Sequence, residues 1–484
     1  MVFNSYQTST ELRLAYRTEP HSHLITSNII NPRRLIALAA VVALISSLAL
    51  SSKTVQAAAG DLDPTFGRAG MVTTDFAGGV AEASASVIQP DGCIIAAGWS
   101  DNAKGASDFA LARYNKDGQL DSSFGSRGKV TTVFGGNAKA YGIALQGDGK
   151  IVAAGFGKNK PESSSVDFAI ARYNPDGSLD AAFGDSGKVT TDFFGKHDQV
   201  YAVAIQADRK IVVAGGATSV KNIFGFALAR YNTDGKLDST FGAGGKLITS
   251  FIPNQLSEAH ALAIQSDGKI IVAGSGSPGF GMDFALVRYN PDGSLDQTFG
   301  TSGRTTTDFS GSEDQARALA IQPDGSIIAA GYAGLSNRPS TDFALARYKS
   351  NGALDPTFGS DGRVTTDFFD GYDGVSALAL ESDGLIVAAG MAGMGSGCDF
   401  GLARYRPNGT LDSTFGSRGK VNTVIQGATA WASSVVIQPD GKIVAAGNAM
   451  SRANSNNGFA IVRYGYEPIA RGAAASTHPS GAGQ

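Results

Sequence analysis

The feature that most constrains the fold of this chain is a tandem repeat. The motif Leu-Asp-x-x-Phe-Gly begins at seven positions, Leu62, Leu120, Leu179, Leu237, Leu295, Leu354 and Leu411. A second motif, Phe-[Ala/Gly]-[Leu/Ile]-[Ala/Val]-Arg-Tyr, follows each copy and begins at Phe109, Phe168, Phe226, Phe284, Phe343, Phe400 and Phe459. The copies of the first motif are 57 to 59 residues apart. Repeats of this kind are supersecondary units that bury their apolar faces against their neighbours.

Each unit contains four short stretches with strand character. In the unit that starts at Leu179 they cover residues 188–193, 200–206, 210–214 and 226–231. Asp-Gly separates the second and third stretches in most units and suits a tight hairpin, because Gly accepts positive φ. The third unit has Ala207-Asp208-Arg209 there instead, so we expect a strained or differently shaped turn. No stretch shows a long 3.6-residue apolar period, and helices should be scarce.

Four antiparallel strands repeated seven times predict an all-β fold, a seven-bladed β-propeller. A parallel β-helix is the alternative, but its coils are usually shorter, roughly 20–30 residues, and lack internal hairpins. The last strand motif ends at Tyr464 with no Leu-Asp-x-x-Phe-Gly copy after it. We therefore expect the N-terminal copy to dock beside the strand at 459–464 and to join the first and last blades.

The motifs resemble those of a known repeat family. Leu-Asp-x-x-Phe-Gly, Asp-Gly-Lys-[Ile/Val] and Phe-Ala-Leu-Ala-Arg-Tyr-Asn-x-Asp-Gly are similar to elements of the delta-60 repeat family of exported bacterial proteins, over residues 60–464. The resemblance implies a propeller fold and export. It brings no catalytic residue to this chain.

The N-terminal region has the order of a secretory signal. Arg33 and Arg34 precede an apolar run at 35–50, and Val55-Gln56-Ala57 follows. At about 1.5 Å per helical residue the run spans roughly 24 Å, short of a ~30 Å bilayer core. We predict a targeting segment at 1–57, a propeller at 58–464 and a disordered tail at 465–484. The protein is then periplasmic, on the cell surface or secreted, and an uncleaved anchor is the alternative.

Composition and charge exclude several classes of protein. The chain is 42% hydrophobic with a net charge of −3, which argues against disorder and against nucleic acid as a partner. Cys93 and Cys398 lie in units that are not ring neighbours, and His197 and His260 have no Cys or His partner at metal spacing. The sequence therefore predicts no metal and no cofactor, and we expect a monomer.

One arginine recurs at the fifth position of the second motif. A residue present in every unit serves the common fold more often than a single asymmetric site. We expect each arginine to pair with a carboxylate such as Asp63, Asp121 or Asp180. The seven are Arg113, Arg172, Arg230, Arg288, Arg347, Arg404 and Arg463.

The segments between the third and fourth stretches are the least repetitive parts of the chain. Variable loops on a rigid frame are where binding usually resides, and aromatic side chains are common anchors. We predict a binding rim for a glycan or a protein there, carried by Trp99, Phe156, Phe224, Phe280, Tyr332, Met391 and Met394.

The alternative to a binding module is a propeller hydrolase or lyase. Its acid and base would be carboxylates near the channel mouth, with Asp198 and Glu313-Asp314 as the candidates in loops between the first and second stretches. Carboxylates in such loops are also commonly just solvated, and the sequence leaves that interpretation open.

Overall fold

The computed structural model describes residues 57–466, apart from 77–78, 161–162, 219–223, 252–255, 280, 310–312, 336–337, 395–396, 426 and 452–456. This part of the chain forms seven four-stranded antiparallel sheets, which confirms the predicted seven-bladed propeller. The predicted targeting segment, up to residue 56, and the tail from residue 467 lie outside the described residues. No helix among the described residues is long and apolar enough to cross a membrane.

Each blade has an inner, a second, a third and an outer strand. The inner strands are β2 (Ala81–Ile88), β6 (Lys139–Leu145), β10 (Asp198–Ile205), β14 (Ser257–Ile264), β18 (Asp314–Ile321), β22 (Gly374–Leu380) and β26 (Ala428–Ile437). The second strands are β3 (Ile94–Asp101), β7 (Ile151–Gly157), β11 (Ile211–Thr218), β15 (Ile270–Gly279), β19 (Ile327–Leu335), β23 (Ile386–Met394) and β27 (Ile443–Ser451). The third strands are β4 (Ser107–Tyr114), β8 (Asp167–Tyr173), β12 (Phe224–Tyr231), β16 (Gly281–Tyr289), β20 (Arg338–Tyr348), β24 (Gly397–Tyr405) and β28 (Asn457–Tyr464). The outer strands are β5 (Lys129–Thr132), β9 (Lys188–Thr191), β13 (Lys246–Thr249), β17 (Arg304–Thr307), β21 (Arg363–Thr366), β25 (Lys420–Thr423) and β1 (Met71–Thr74).

The sheets are offset from the sequence repeat by one strand. Blade 3, for example, consists of β10, β11, β12 and β13, whereas β9 belongs to the sheet of blade 2. The first stretch of each repeat is therefore the outer strand of the preceding blade, and a repeat is not a blade. Because each repeat spans two sheets, the chain itself ties neighbouring blades together.

The N-terminal strand closes the ring. β1 pairs antiparallel with β28, from Met71 opposite Val462 to Thr74 opposite Phe459. Leu62 forms an isolated bridge with Tyr464. The predicted docking of the N-terminal repeat copy is confirmed, and blade 7 takes strands from both ends of the propeller.

The core lies between the blades rather than within them. Between blades 2 and 3, Val152 and Phe168 pack with Val213 and Tyr231, all fully buried. The hydroxyl of Tyr231 donates to Thr191 Oγ1 of the preceding blade at 2.8 Å. Equivalent tyrosine–threonine hydrogen bonds join each of the six remaining pairs of neighbouring blades.

The repeated arginines hold the connectors between blades. Arg172 donates from Nε to Asp180 Oδ2 at 2.8 Å, and its guanidinium carbon lies 4.4 Å from the centroid of the Phe183 ring. Its Nη1 donates to the carbonyl oxygen of Thr233 in the next blade at 2.6 Å. All seven arginines form the corresponding ion pair and lie over the corresponding ring. These contacts explain why the arginine recurs in every repeat, and the explanation requires no ligand.

The turn that lacks glycine keeps the shape of the others. Arg209 N–H donates to the carbonyl oxygen of Gln206 at 2.8 Å, as Gly149 does to Gln146 at 2.9 Å. Arg209 achieves this with a φ of 68°, in the left-handed region that costs a side-chain-bearing residue energy. The expected backbone strain is therefore present at Arg209, whereas the turn has the same shape as the turns that contain glycine.

Candidate functional site: the central channel

Every inner strand carries a β-bulge at the same place. In blade 3 the pairing of β10 with β11 shifts between Val200 and Ala202, which leaves Tyr201 as the extra residue. Bulges re-aim side chains and are common beside functional sites. The seven bulge residues are Ser84, Tyr141, Tyr201, His260, Arg317, Ser376 and Ser433.

A glycine in each second strand makes room for the bulge. A Cβ added at Gly215 would lie 1.9 Å from the carbonyl oxygen of Gln199, which no packed structure allows. The equivalent glycines would meet a carbonyl oxygen at 1.8 to 2.0 Å; they are Gly98, Gly155, Gly274, Gly331, Gly390 and Gly447. The glycine in the repeated Ala-Gly step therefore permits the backbone geometry that aims the bulge residue.

All seven bulge residues line one central cavity of about 1180 Å³. Five residues two positions earlier on the inner strands also line it, namely Glu82, Glu258, Gln315, Gly374 and Trp431. The residue between these two positions is a buried Ala or Val in every blade, for example Ala83, Val200 and Ala316. The inner strands thus share an apolar outward face and differ in the residues that face the channel.

The chemistry of the channel wall is uneven around the ring. Blades 2 to 5 contribute Tyr141, Tyr201, His260 and Arg317 at the bulge, which we call the bulky half. Blades 6, 7 and 1 contribute Ser376, Ser433 and Ser84, which we call the serine half. These blades are neighbours in this order, because consecutive inner strands contact one another and β26 contacts β2. The small serines leave space opposite a wall of large side chains.

The bulky half is a contiguous row of rings and polar groups. The rings of Tyr141 and Tyr201 stack with centroids 5.3 Å apart, and the centroids of Tyr201 and His260 are 5.0 Å apart. The hydroxyl of Tyr201 donates to Gln199 Oε1 at 3.1 Å. His260 Nε2 is buried without a hydrogen bond and lies 3.7 Å from Glu258 Oε2.

Burial shifts the titration of several channel groups. Burial raises the pKa of Glu82 and of Glu258, against the lowering effects of Lys139 on the first and of Tyr201 and Arg317 on the second. Burial, with a contribution from the charge of Arg317, lowers the pKa of His260 to about 3, so its imidazole is neutral at pH 7. The channel combines carboxyl groups that hold a proton more readily than usual with a neutral imidazole.

Those predicted binding-rim residues that the structure describes lie in strands and not in loops. Trp99, Phe156, Tyr332 and Met391 lie within second strands, and Phe224 begins a third strand. The expectation of loop positions is wrong because the second strands continue past their glycines to the rim. Phe280 and the side chain of Met394 lie outside the described residues.

These strand residues form a layer behind and beside the channel. Tyr332 and Met391 line the cavity directly. Trp99 is 9% exposed and has Lys139 Nζ 3.4 Å from its ring centroid. Phe156 lies 5.9 Å, centroid to centroid, from Tyr141. Whether they contact a ligand stays a prediction.

The candidate catalytic carboxylates are mostly buried. Asp198 and Asp314 are fully buried first residues of β10 and β18, so neither a loop position nor solvation describes them. Each accepts a backbone hydrogen bond, from Phe193 at 2.8 Å and from Phe309 at 2.7 Å. Glu313 is exposed and lines the cavity.

Sequence reasoning missed the bulge residues. The signal for them is present in the repeats, since two positions per inner strand vary between residue types as different as Ser, Tyr, His and Arg. Their small apolar neighbours hardly vary. This alternation indicates that one face of the strand has the same packing role in every blade, whereas the residues on the other face differ between blades.

The repeats match a known family model. The model, described as a domain of unknown function (DUF5122) beta-propeller, matches residues 89–124, 146–183, 206–241, 265–299, 322–358, 381–415 and 438–465. The chain belongs to the DUF5122 β-propeller family. No curated protein matches this propeller significantly.

Several solved structures are similar to this DUF5122 chain at low sequence identity. The polysaccharide lyase Uly1 is 10% identical, with a TM-score of 0.45 over 85% of this chain and 98% of its own. A catalytically inactive virginiamycin B lyase from Staphylococcus aureus with quinupristin is 11% identical, with a TM-score of 0.44 over 81% and 98%. Sqt1 from Chaetomium thermophilum, bound to the N-terminus of a ribosomal protein, is 13% identical, with a TM-score of 0.45 over 81% and 98%.

Proposed function

We propose that this propeller is a binding module whose ligand, a glycan, enters the central channel. One observation carries the proposal: the bulge position of the inner strands, which holds Ser, Tyr, His or Arg in different repeats, lines the cavity of about 1180 Å³ in every blade. A frame that is uniform elsewhere and specialised at one concave surface is the usual arrangement of a binding site. The site lies in the channel and not in the rim loops.

The chemistry of the lining favours a glycan. Tyr141, Tyr201 and Trp431 offer aromatic faces for the apolar faces of sugar rings. Glu258 and Gln315 offer hydrogen-bond acceptors for hydroxyl groups, and His260 Nε2 is buried with its hydrogen-bonding capacity unused. The cavity exceeds the roughly 300–1,000 Å³ of drug-sized pockets, so it has room for several sugar units.

The two halves of the channel have different tasks in this proposal. The stacked wall of the bulky half provides rigid contact area, because aromatic side chains lose little entropy on binding. The serine half provides the volume that the ligand fills. Export of the protein, a monomeric state and membership of the delta-60 repeat family belong to the same proposal and agree with the sequence features described above.

The test is a glycan array probed with the purified chain and with channel variants. Tyr141→Ser and Tyr201→Ser introduce the residue that blades 6, 7 and 1 carry at the same bulge, so the backbone tolerates it. We expect a saturable glycan signal in the wild type and a loss of at least tenfold in affinity in each variant. The control is Phe194→Ala, since Phe194 is 44% exposed and does not line the cavity.

A glycan signal that both variants retain contradicts a channel site. A chain that binds no glycan but captures a protein contradicts the ligand class.

A second candidate function is a hydrolase or a lyase that uses the same cavity. It is favoured by the raised pKa of the Glu258 carboxyl group, which lies 3.7 Å from the neutral imidazole of His260, and by the raised pKa of Glu82 in the same cavity, since such groups mark acid–base sites. Glu258→Gln separates the two functions. If the wild type turns over a glycan and the Glu258→Gln variant binds this glycan without turnover, the protein is an enzyme. If the wild type binds the glycan without turnover, it is a binding module.

A further inference from the structure

We propose that the glycan in the channel is acidic and that Arg317 binds a carboxylate group on it. The inference rests on the proposed function, because it assigns the ligand class of the same cavity. Arg317 is the bulge residue of blade 5 and lines the cavity of about 1180 Å³. It is the only Lys or Arg among the described residues of the cavity wall, and its guanidinium group does not lose its charge in proteins.

Arg317 is also the most accessible of the bulge residues. It is exposed, whereas the other six bulge residues are half-buried. The next inner strand, β22, contacts β18 and carries Ser376 at its bulge. Arg317 therefore lies at the boundary between the bulky half and the serine half of the channel. A ligand that fills the serine half extends to this boundary.

The contacts of Arg317 hold its side chain without neutralising its charge. Its Nε and Nη2 atoms both donate to Gln315 Oε1, each at 3.3 Å. Its guanidinium carbon lies 5.2 Å from the centroid of the Tyr332 ring. Burial raises the pKa of Tyr332, whereas the charge of Arg317 and its hydrogen bond to the Tyr332 side chain oppose this rise. Both partners of Arg317 are thus neutral side chains.

The repeated arginines provide the contrast. Each of them forms an ion pair with the aspartate of a Leu-Asp-x-x-Phe-Gly connector. Arg317 forms no ion pair with any residue that the structure describes. Its guanidinium group has five N–H donors, of which two contact Gln315 and one contacts Tyr332, so two remain for a ligand. The planar fork suits a carboxylate, and charge-assisted hydrogen bonds are roughly twice as strong as neutral ones.

Two acidic side chains of the cavity wall limit how much negative charge the ligand can carry. Burial raises the pKa of Glu258, against the charge of Arg317, and Glu258 Oε2 lies 3.7 Å from His260 Nε2. Glu313 is exposed and directly precedes β18. Because these carboxylates repel a polyanion, we expect a glycan with separate uronate units rather than a densely charged chain.

A buried hydroxyl group in the same blade offers a further hydrogen bond. Ser340 lies on β20, is 8% exposed and lines the cavity. Its Oγ atom has no hydrogen-bond partner among the described residues. Since a buried polar group without a partner is costly, a ligand group that bonds to Ser340 is favoured. The hydroxyl can donate to the carboxylate or to a sugar oxygen.

The test is calorimetric titration of the purified full chain with a panel of uronate-containing oligosaccharides. Each is paired with a form whose carboxyl groups have been reduced to primary alcohols, which keeps the sugar ring and removes the charge. We expect the wild type to bind an acidic member and to bind its reduced form about tenfold or more weakly. Arg317→Gln should bind both forms alike, with the affinity that the wild type has for the reduced form.

The matched control is Arg68→Gln. It removes an exposed arginine that does not line the cavity, so it should keep the wild-type preference for the acidic form. An unchanged thermal midpoint shows that the Arg317→Gln variant is folded, as expected for an exposed side chain with neutral partners.

Equal binding of both forms by the wild type, or a preference for the acidic form that Arg317→Gln retains, overturns this inference. If Tyr201→Ser abolishes the binding in either case, the proposed function still stands. A preference for sulfated over uronate-containing glycans overturns the assignment of a carboxylate. No binding of any glycan overturns both the inference and the proposed function.

Discussion

The rings of Tyr141 and Tyr201 stack across a blade boundary, with centroids 5.3 Å apart and planes inclined by 29°. They occupy the same bulge position in neighbouring inner strands, where blades 6, 7 and 1 carry serine. Because the bulge is common to all blades, the residue placed on it changes the shape of the channel without changing the fold. The propeller therefore separates the positions that stabilise it from those that line the channel.

Gly215→Ala tests the origin of the bulge. The added Cβ would lie 1.9 Å from a backbone carbonyl oxygen that cannot move without breaking the sheet. We expect a loss of about 3 kcal/mol in the free energy of unfolding, as for overpacked cores. Denaturant unfolding measures it. Gly147→Ala is the control, since nothing lies within 4 Å of a Cβ there, and an equal loss in both variants contradicts the argument.

Arg209→Gly should stabilise the protein. Arg209 has a φ of 68° in a turn where most repeats have glycine, and relief of the left-handed strain is worth about 1 kcal/mol. The thermal midpoint is the measurement. Arg209→Ala removes the same side chain but keeps the strain, so it should show no gain. A gain of equal size in the alanine variant would assign the effect to the side chain instead.

Deletion of residues 60–74 should open the ring. It removes β1 and the fully buried Phe66, and it leaves the outer edge of β28 unpaired. We expect a loss on the order of 5 kcal/mol, from the burial of several apolar side chains. Thermal unfolding measures the loss. A control deletion of 467–484 should leave the midpoint unchanged, and an unchanged midpoint after removal of β1 would contradict closure.

Stability should depend on pH through the carboxyl group of Asp198. Its pKa is raised from 3.8 in the unfolded chain to about 7 by burial and by neighbouring carboxylates. The folded state therefore binds more protons between about pH 4 and 7, and its stability falls as the pH rises through that window. Asp198→Asn cannot titrate, so its free energy of unfolding should fall less, by on the order of 2 kcal/mol.

The comparison of the two proteins isolates Asp198. The lowered pKa of His260 acts in the opposite direction, but it is present in both proteins and cancels. Parallel curves of unfolding free energy against pH would contradict the prediction.

The fold was predictable from the sequence because its determinants recur. The Leu-Asp-x-x-Phe-Gly copies and the strands that end in Arg-Tyr fix the number of blades, and the unmatched first copy predicts ring closure. The one-strand offset between a sequence repeat and a sheet was not predictable from one unit. The sequence of β9 does not show whether this strand pairs with the blade before it or with the blade after it. The extent of β3 was also missed, since Gly98 and its small neighbours weaken the strand signal.

The channel was harder to predict than the fold. Aromatic residues such as Trp99 and Phe156 drew attention to the rim because they vary, yet they lie in strands behind the channel wall. His260 and Arg317 are 57 residues apart and come together only when blades 4 and 5 pack side by side.

Filling the serine half tests the central claim most directly. Ser376→Tyr and Ser433→Tyr introduce at the bulge the residue that blades 2 and 3 carry there, so the fold should tolerate it while the cavity of about 1180 Å³ shrinks. The measurement is the affinity of each variant for the glycan that the array identifies, with an unchanged thermal midpoint as evidence of folding. We predict at least a tenfold loss in affinity for both. Wild-type affinity in both folded variants would place the binding site outside the channel.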